Sequence, residues 1–349
     1  MNRYVRPNIA KMAGYVPGEQ PQHAKFIKLN TNENPFPPSP KVAEAIRQFS
    51  AERLTRYPDP TAASFRTAAA DRLGVPSDWI LCGNGSDDIL TICTRAFVGE
   101  GERVRFPTPS YILYRTLAEI QGARWEAVPF RADWGLGDDF GSSVGDLKLA
   151  YLPNPNSPSG TWIEPNRVLE LAEMLPCPLI VDEAYADFTG DSCVSLVSRC
   201  EKMLVSRTLS KSYALAGLRF GFLVGQPSMI AELAKVKDSY NCDMISIAAA
   251  TAAILDREWL AENVTRVVTL RESLADRLSH LGFDIVPSRA NFVWCTHPER
   301  SPRALYEGLK ERGILVRYME YEGWGAGLRI SVGTPEQQDV LLAMLAEIV

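Results

Sequence analysis

The chain reads as an α/β protein: a large domain on a mainly parallel sheet sandwiched by helices, followed by a smaller α+β domain. Two observations predict this. From about residue 41 to 240, short apolar runs alternate with segments of helical period, the pattern of successive βαβ units. After Gly282 the texture changes to closely spaced strand-like runs and two helices. A length of 349 residues is enough for about two such domains.

Residues 1–40 read as an extended arm that packs with the small domain. Pro17, Pro21, Pro35, Pro37, Pro38 and Pro40 interrupt any continuous helix, and Tyr4, Tyr15 and Phe26 are apolar surface that a solvated tail does not need. Residues 41–250 form the large domain. Helices are expected at Lys41–Ser50, Ser64–Leu73, Asp87–Val98, Ile112–Gln121, Glu164–Leu175 and Met229–Ser239. Strands are expected at Trp79–Cys82, Arg103–Phe106, Arg124–Val128, Lys148–Leu152, Leu179–Asp182, Lys202–Ser206 and Arg219–Val224. The stretch Ile245–Leu281 is helical throughout and reads as one long helix leaving the sheet domain, with the boundary at about 250–282. Residues 251–349 form the small domain, with strands at Phe283–Val286, Asn291–Trp294, Ile314–Arg317 and Leu328–Val332 and helices at Ser301–Arg312 and Pro335–Ile348.

Composition narrows the function. Lys plus Arg number 37 against 42 Asp plus Glu, a mildly acidic balance without the basic block that nucleic-acid binding needs. Three histidines argue against a His-rich metal site, and no metal is expected. The seven cysteines form no CxxC pair and read as reduced thiols of a cytoplasmic protein. The N-terminus has no apolar secretory core, and the longest nearly apolar run, Ile245–Leu255, is too short to span a bilayer.

Four motifs sit at the ends of predicted strands, where open α/β sheets bind ligands. Cys82-Gly83-Asn84-Gly85-Ser86-Asp87-Asp88 turns a strand through glycines into a helix, whose first amides and positive dipole end suit a phosphate. Leu152-Pro153-Asn154-Pro155-Asn156-Ser157-Pro158-Ser159-Gly160 is a rigid loop facing the sheet end. In Val181-Asp182-Glu183-Ala184-Tyr185 the carboxylate emerges from a buried run with no lysine or arginine within ten residues, so its partner is remote or a ligand. Ser206-Arg207-Thr208-Leu209-Ser210-Lys211-Ser212-Tyr213-Ala214-Leu215-Ala216-Gly217-Leu218-Arg219 sets a lysine among hydroxyls and a small apolar turn, which suits a desolvated, nucleophilic amine. Near the C-terminus, Arg329 in Gly327-Leu328-Arg329-Ile330-Ser331-Val332-Gly333 starts a strand and offers a bidentate grip on a carboxylate.

Taken together, NGSD, NPNSPSG, DEAY and SKSYALAGLR resemble the pyridoxal-phosphate enzymes of the aspartate-aminotransferase fold, fold type I, with a seven-stranded-type sheet in the large domain. The resemblance implies that Lys211 carries the cofactor as a Schiff base, that Asp182 pairs with the pyridinium nitrogen, and that Tyr185 bonds the 3-oxygen. It further implies that Gly85, Ser86, Asp87, Thr208, Ser210 and Arg219 hold the phosphate, that Tyr111 stacks on the ring, and that Arg329 binds the substrate's α-carboxylate. Many relatives have Asn where this chain has Ser157; Asn154, Asn156 or Ser157 supplies that contact here, with Asn156 the first choice.

Within that family the chain is similar to the histidinol-phosphate aminotransferase group. The similarity lies in Gly14-Tyr15-Val16-Pro17-Gly18, Leu29-Asn30-Thr31-Asn32-Glu33-Asn34-Pro35 and Arg56-Tyr57-Pro58-Asp59-Pro60. This implies Tyr15 and Asn34 near the substrate, Tyr57 reaching the cofactor phosphate of a partner subunit, and hence a homodimer. The implied reaction exchanges an amino group between L-histidinol phosphate and 2-oxoglutarate, a ping-pong step of histidine biosynthesis in which Lys211 serves as general base and acid. Alternatives from the same machinery are an aromatic or broad-specificity aminotransferase and a threonine-phosphate decarboxylase; a non-catalytic cofactor-binding protein is a further one.

Overall fold

The computed structural model describes residues 3–14, 18–20 and 26–349. The arm carries α1 (Pro7–Lys11) and β1 (Ile27–Lys28). The larger body then runs α2 (Pro40–Arg47), α3 (Ala63–Leu73), β2 (Ile80–Gly83), α4 (Ser86–Phe97), β3 (Arg103–Thr108), α5 (Leu113–Gln121), β4 (Arg124–Pro129), β5 (Leu147–Pro153), α6 (Pro165–Met174), β6 (Leu179–Asp182), β7 (Met203–Thr208), β8 (Gly221–Val224), α7 (Pro227–Ala234) and α8 (Met244–Leu255). The smaller body follows with α9 (Arg257–His280), β9 (Asp284–Val286), β10 (Phe292–Thr296), α10 (Pro302–Glu311), β11 (Ile314–Leu315), β12 (Arg317–Tyr321), β13 (Gly325–Ser331) and α11 (Pro335–Ile348).

The large sheet has seven strands in the order β2-β8-β7-β6-β5-β3-β4. All neighbours are parallel except those of β8, which is antiparallel to both β2 and β7. Period-two alternation feeds two apolar layers. Ala150, Leu152, Leu179 and Val181 join one core with residues of α3, α6 and α8. Leu149, Tyr151, Ile180 and Leu204 join the other with α4, α5 and α7. With both faces covered, the exposed edge of interest is the one where β2, β3, β5, β6 and β7 end. There β8 begins at Gly221, between Gly83 and Thr208. Gly221 has to be a glycine, because a Cβ would lie 2.6 Å from the Ser86 amide nitrogen.

The small body has a four-stranded sheet in the order β12-β13-β10-β9, and its core takes Leu29 from the arm. β1 pairs parallel with β11, Ile27 opposite Ile314. Three local expectations need correction. The arm is not wholly extended: Pro7, at the first turn where its missing N–H costs nothing, starts the short α1. The single helix expected over Ile245–Leu281 is two helices broken at Asp256 (φ −88°, ψ 73°), whose carboxylate is held by Ser39 and by Lys41 at 2.8 Å. The strand expected at Ile314–Arg317 divides at Val316, β11 pairing with the arm and β12 with β13.

Candidate active site

The carboxyl ends of the large sheet, the arm and β12–β13 surround one cavity of about 290 Å³. At its floor, β2 runs into Gly83, and Gly85 (φ +86°) turns the chain into α4. The Gly85 amide, expected among the phosphate donors, donates instead to the Gly83 carbonyl at 2.8 Å. What Gly85 provides is room: a Cβ there would lie 2.6 Å from Arg219 Nη2. Ser86 and Asp87 occupy the first turn of α4, where amides have no partner within the helix. Facing them are Thr208, Ser210 and Arg219. Ser210 Oγ accepts from Thr208 Oγ1 at 3.0 Å and from Arg219 Nη1 at 3.4 Å, and Arg219 Nη2 lies 3.3 Å from Asp87 Oδ2. Arg219 sits at φ +51°, a left-handed backbone uncommon for a side-chain-bearing residue and often found at functional sites.

Asp182 ends β6 after three fully buried residues, and its partner is remote in sequence as expected: Tyr114 of α5 donates its hydroxyl to Oδ2 at 2.8 Å. Oδ1 is buried and has no hydrogen-bond partner. Burial raises the Asp182 pKa to about 6; the Tyr114 bond and the Ala184 amide lower it, and Asp87 and Glu183 raise it. Lys211 lines the same cavity. Its Nζ donates weakly to the Thr31 carbonyl, 3.4 Å away, and lies 5.8 Å from the centre of the Tyr185 ring. The Tyr185 oxygen accepts from Asn32 Nδ2 at 2.9 Å, so its own proton is free to be donated onward. Behind these groups Arg207 bridges Glu183 (2.9 Å) and Asp187, and Ser212 donates to Asp187. This buried network ties the loop after β6 to the loop after β7, and so Asp182 to Lys211.

The far wall comes from the small sheet. Arg329 on β13 donates to Ser157 Oγ at 2.8 Å and to the Asn30 carbonyl at 3.1 Å. Directly opposite it in register stands Arg317 of β12, which also lines the cavity. Tyr111, at the start of α5, closes a side and donates to Asp87 Oδ1 at 3.2 Å.

Several expected residues lie elsewhere. Asn156 is buried and its amide nitrogen donates to the Pro109 carbonyl (3.1 Å), in the loop after β3, and to Ser159 Oγ (2.8 Å) of its own loop. Asn154 is fully engaged with the backbone of Ile163, so of the three candidates in that loop Ser157 alone lines the cavity. Asn34 does not face the cavity either: it donates to the Lys211 carbonyl at 3.0 Å and anchors that loop from beneath. Tyr57 is 77% exposed and stacks on Tyr240 with centroids 4.4 Å apart. Tyr15 lies outside the described residues. Tyr114, Asn32 and Arg317 were not anticipated. Among the described residues no cluster could hold a metal ion, and no helix is long and apolar enough to cross a membrane.

Comparison with known proteins agrees with this arrangement. The sequence profile of aminotransferase class I and II matches residues 24–345. A histidinol-phosphate aminotransferase of Rhodopirellula baltica is 59% identical over 341 residues, covering 97% of this chain and 94% of that protein. The chain belongs to the class I and II aminotransferases, in the histidinol-phosphate aminotransferase group. A second member of the group, from Geotalea daltonii, is 44% identical over 99% of both chains. The family fold is equally plain: the histidinol-phosphate aminotransferase of Sinorhizobium meliloti, solved in complex with pyridoxal-5'-phosphate, superposes with a TM-score of 0.91 at 28% identity, over 100% of this chain and 98% of that one.

Proposed function

We propose that the chain is a pyridoxal-phosphate-dependent aminotransferase that interconverts L-histidinol phosphate and 2-oxoglutarate with imidazole-acetol phosphate and L-glutamate, in histidine biosynthesis. One observation carries the reading. A buried carboxylate oxygen with no partner, Asp182 Oδ1, shares a cavity with Lys211 and with an arginine–hydroxyl cradle at a helix N-terminus. An unsatisfied buried carboxylate costs stability unless a ligand completes it. A ring nitrogen with its proton completes it, an aldehyde suits the lysine, and a phosphate suits the cradle, so the residues present fit pyridoxal phosphate.

Arg219, Ser210, Thr208 and the Ser86 and Asp87 amides hold the phosphate. Asp182 keeps the ring nitrogen protonated, Tyr185 donates to the ring oxygen, and Tyr111 covers one face. The bound cofactor supplies an electron sink for negative charge formed at the substrate's α-carbon. Lys211 Nζ moves the proton from that carbon and returns it. The Arg207 network fixes Lys211 and Asp182 relative to each other. Arg329 and Arg317 grip the substrate anion, the carboxylate of glutamate in one half-reaction and the phosphate of histidinol phosphate in the other. Tyr57 is contributed by the partner of a homodimer, and the setting is cytoplasmic. The domain limits that accompany this reading are 1–40, 41–250 and 251–349.

A half-reaction screen of the cofactor-loaded enzyme tests the specificity. Histidinol phosphate should be at least about tenfold better in kcat/KM than phenylalanine or tyrosine, the discrimination of one charge-assisted contact. Faster turnover of phenylalanine would make the chain a broad-specificity aminotransferase, and carbon dioxide released from threonine phosphate would make it a decarboxylase. Arg329→Ala should raise KM for glutamate and for histidinol phosphate alike, roughly ten- to a hundredfold; normal kinetics for either substrate would refute the shared role.

A further inference from the structure

The hydroxyl of Tyr114 belongs to none of the groups named by the sequence motifs, yet it donates a hydrogen bond to Asp182 Oδ2. Tyr114 is fully buried. Its ring stacks on Tyr151 (centroids 4.8 Å apart, planes at 10°), meets Tyr111 edge-on at 5.7 Å, and lies 6.2 Å from Phe106. Tyr151 is itself anchored, donating to the Leu90 carbonyl at 3.0 Å and sharing a 2.6 Å bond with Thr94 Oγ1. The phenol therefore has one available direction. Burial and the neighbouring Asp182 also push the Tyr114 pKa well above that of an ordinary phenol, which favours the protonated, donating hydroxyl.

We propose that Tyr114 is the positioning residue for Asp182: its hydroxyl pins one carboxylate oxygen and so leaves the other for the cofactor's ring nitrogen. The inference rests on the cofactor reading above. A carboxylate rotates freely about its Cβ–Cγ bond unless one oxygen is tied. With Oδ2 tied to Tyr114, Oδ1 is the buried oxygen without a partner, on a residue that lines the cavity. Ionisation follows from the surroundings. Burial, Asp87 and Glu183 all favour the protonated acid, while Tyr114 and the Ala184 amide favour the carboxylate. Tyr111 also lines the cavity, three residues before Tyr114, so the entry into α5 and its first turn bring a ring to the cavity wall and a hydroxyl to the Asp182 carboxylate.

Tyr114→Phe removes one oxygen and keeps the ring stack. Two readouts separate positioning from packing. In the cofactor-free protein the Asp182 carboxyl, followed by its infrared carbonyl band and assigned by its loss in Asp182→Asn, should titrate about one pH unit higher in Tyr114→Phe, a tenfold change in the protonation equilibrium. In the holoenzyme, the dissociation constant for pyridoxal phosphate should rise about tenfold and kcat fall with KM nearly unchanged. Tyr151→Phe, which removes a hydroxyl from the same stack without touching Asp182, should leave the titration in place. In the unmutated protein the Cζ signal of 13C-labelled Tyr114 should move with the Asp182 midpoint, a measurement that needs no variant to fold. An unchanged midpoint in Tyr114→Phe, or a flat Tyr114 signal across it, overturns the inference while leaving the cofactor reading intact. A parent protein that takes up no pyridoxal phosphate overturns the cofactor reading, and the role of Tyr114 with it.

Discussion

Asp182 is a carboxyl whose native pKa, about 6, lies above the ordinary value because it is buried. Between pH about 4 and 6 the folded, cofactor-free chain therefore holds a proton that the unfolded chain has lost. Stability contributed by this group falls as pH rises through that window and is level above it. Two pH units correspond to about 3 kcal/mol. In the absence of cofactor, Asp182→Asn should then be more stable than the parent at pH 8 by up to about 3 kcal/mol, and little different at pH 4, in denaturant titrations at the two pH values. Equal stability at pH 8 would mean that the carboxylate is better solvated than its surroundings suggest. The site thus accepts a cost in the empty protein that a bound cation at Oδ1 relieves. Asp182 was legible from sequence because an apolar strand ended in an acid with no nearby cation. Tyr114 was not: a tyrosine on an amphipathic helix looks like core, and the bond that gives it a role spans 68 positions. Asn34 and Asn156 were named because their motifs resemble those of the family, but a motif alone does not say whether an amide faces a ligand or the neighbouring backbone.

The two cavity-lining arginines of the small body, Arg317 and Arg329, share one hairpin, β12–β13, and stand opposite each other in it. Its tip reaches the large body, where Trp324 packs on Trp134 with centroids 4.6 Å apart. Trp134 in turn lies 5.8 Å from Phe130, just beyond the end of β4. The hairpin is therefore fixed at its far end as well as at its root. An aromatic pair contributes about 1 kcal/mol beyond burial, so Trp324→Ala should raise KM for both anionic substrates roughly three- to tenfold and leave kcat near normal. Unchanged KM values would show that the root alone sets the arginines. A second tie is Asn32 (φ +54°), which bonds Ser331 of β13 on one side and Tyr185 on the other. Neither tie was readable in advance. The alternation of strands and helices followed from hydrophobic period, but the division of one strand-like run at Val316, which puts Arg317 beside Arg329, depends on which edges are open in three dimensions.

At the scale of the whole molecule, Tyr57 is a large aromatic side chain left in solvent by a single chain, beside Tyr240. If a partner subunit's cofactor covers it, each active site needs Lys211 from one chain and Tyr57 from the other. Mixing equal amounts of Lys211→Ala and Tyr57→Ala subunits should then restore activity in hybrid dimers, to as much as about a quarter of the parent level at random exchange, since about half the dimers are hybrids and one of the two sites is intact in each. No recovery after confirmed subunit exchange would place Tyr57 outside the site. The two-body plan was visible in the change of texture after Gly282. The contribution of the arm to the small body was visible only as surplus aromatic residues in a proline-rich stretch.

The pairing of Ile27 with Ile314 has a consequence for how the protein is made. Ile27 leaves the ribosome some 287 residues before its partner strand exists, roughly 15–60 s at ordinary rates of synthesis. During that interval the large body can complete its sheet, whose strands end at Val224, while Leu29 waits for the core it will join. The small body, with Arg317 and Arg329, is thus the last part to be synthesised. A nascent chain carries Lys211 and Arg219 before it carries the β12–β13 wall that faces them across the cavity.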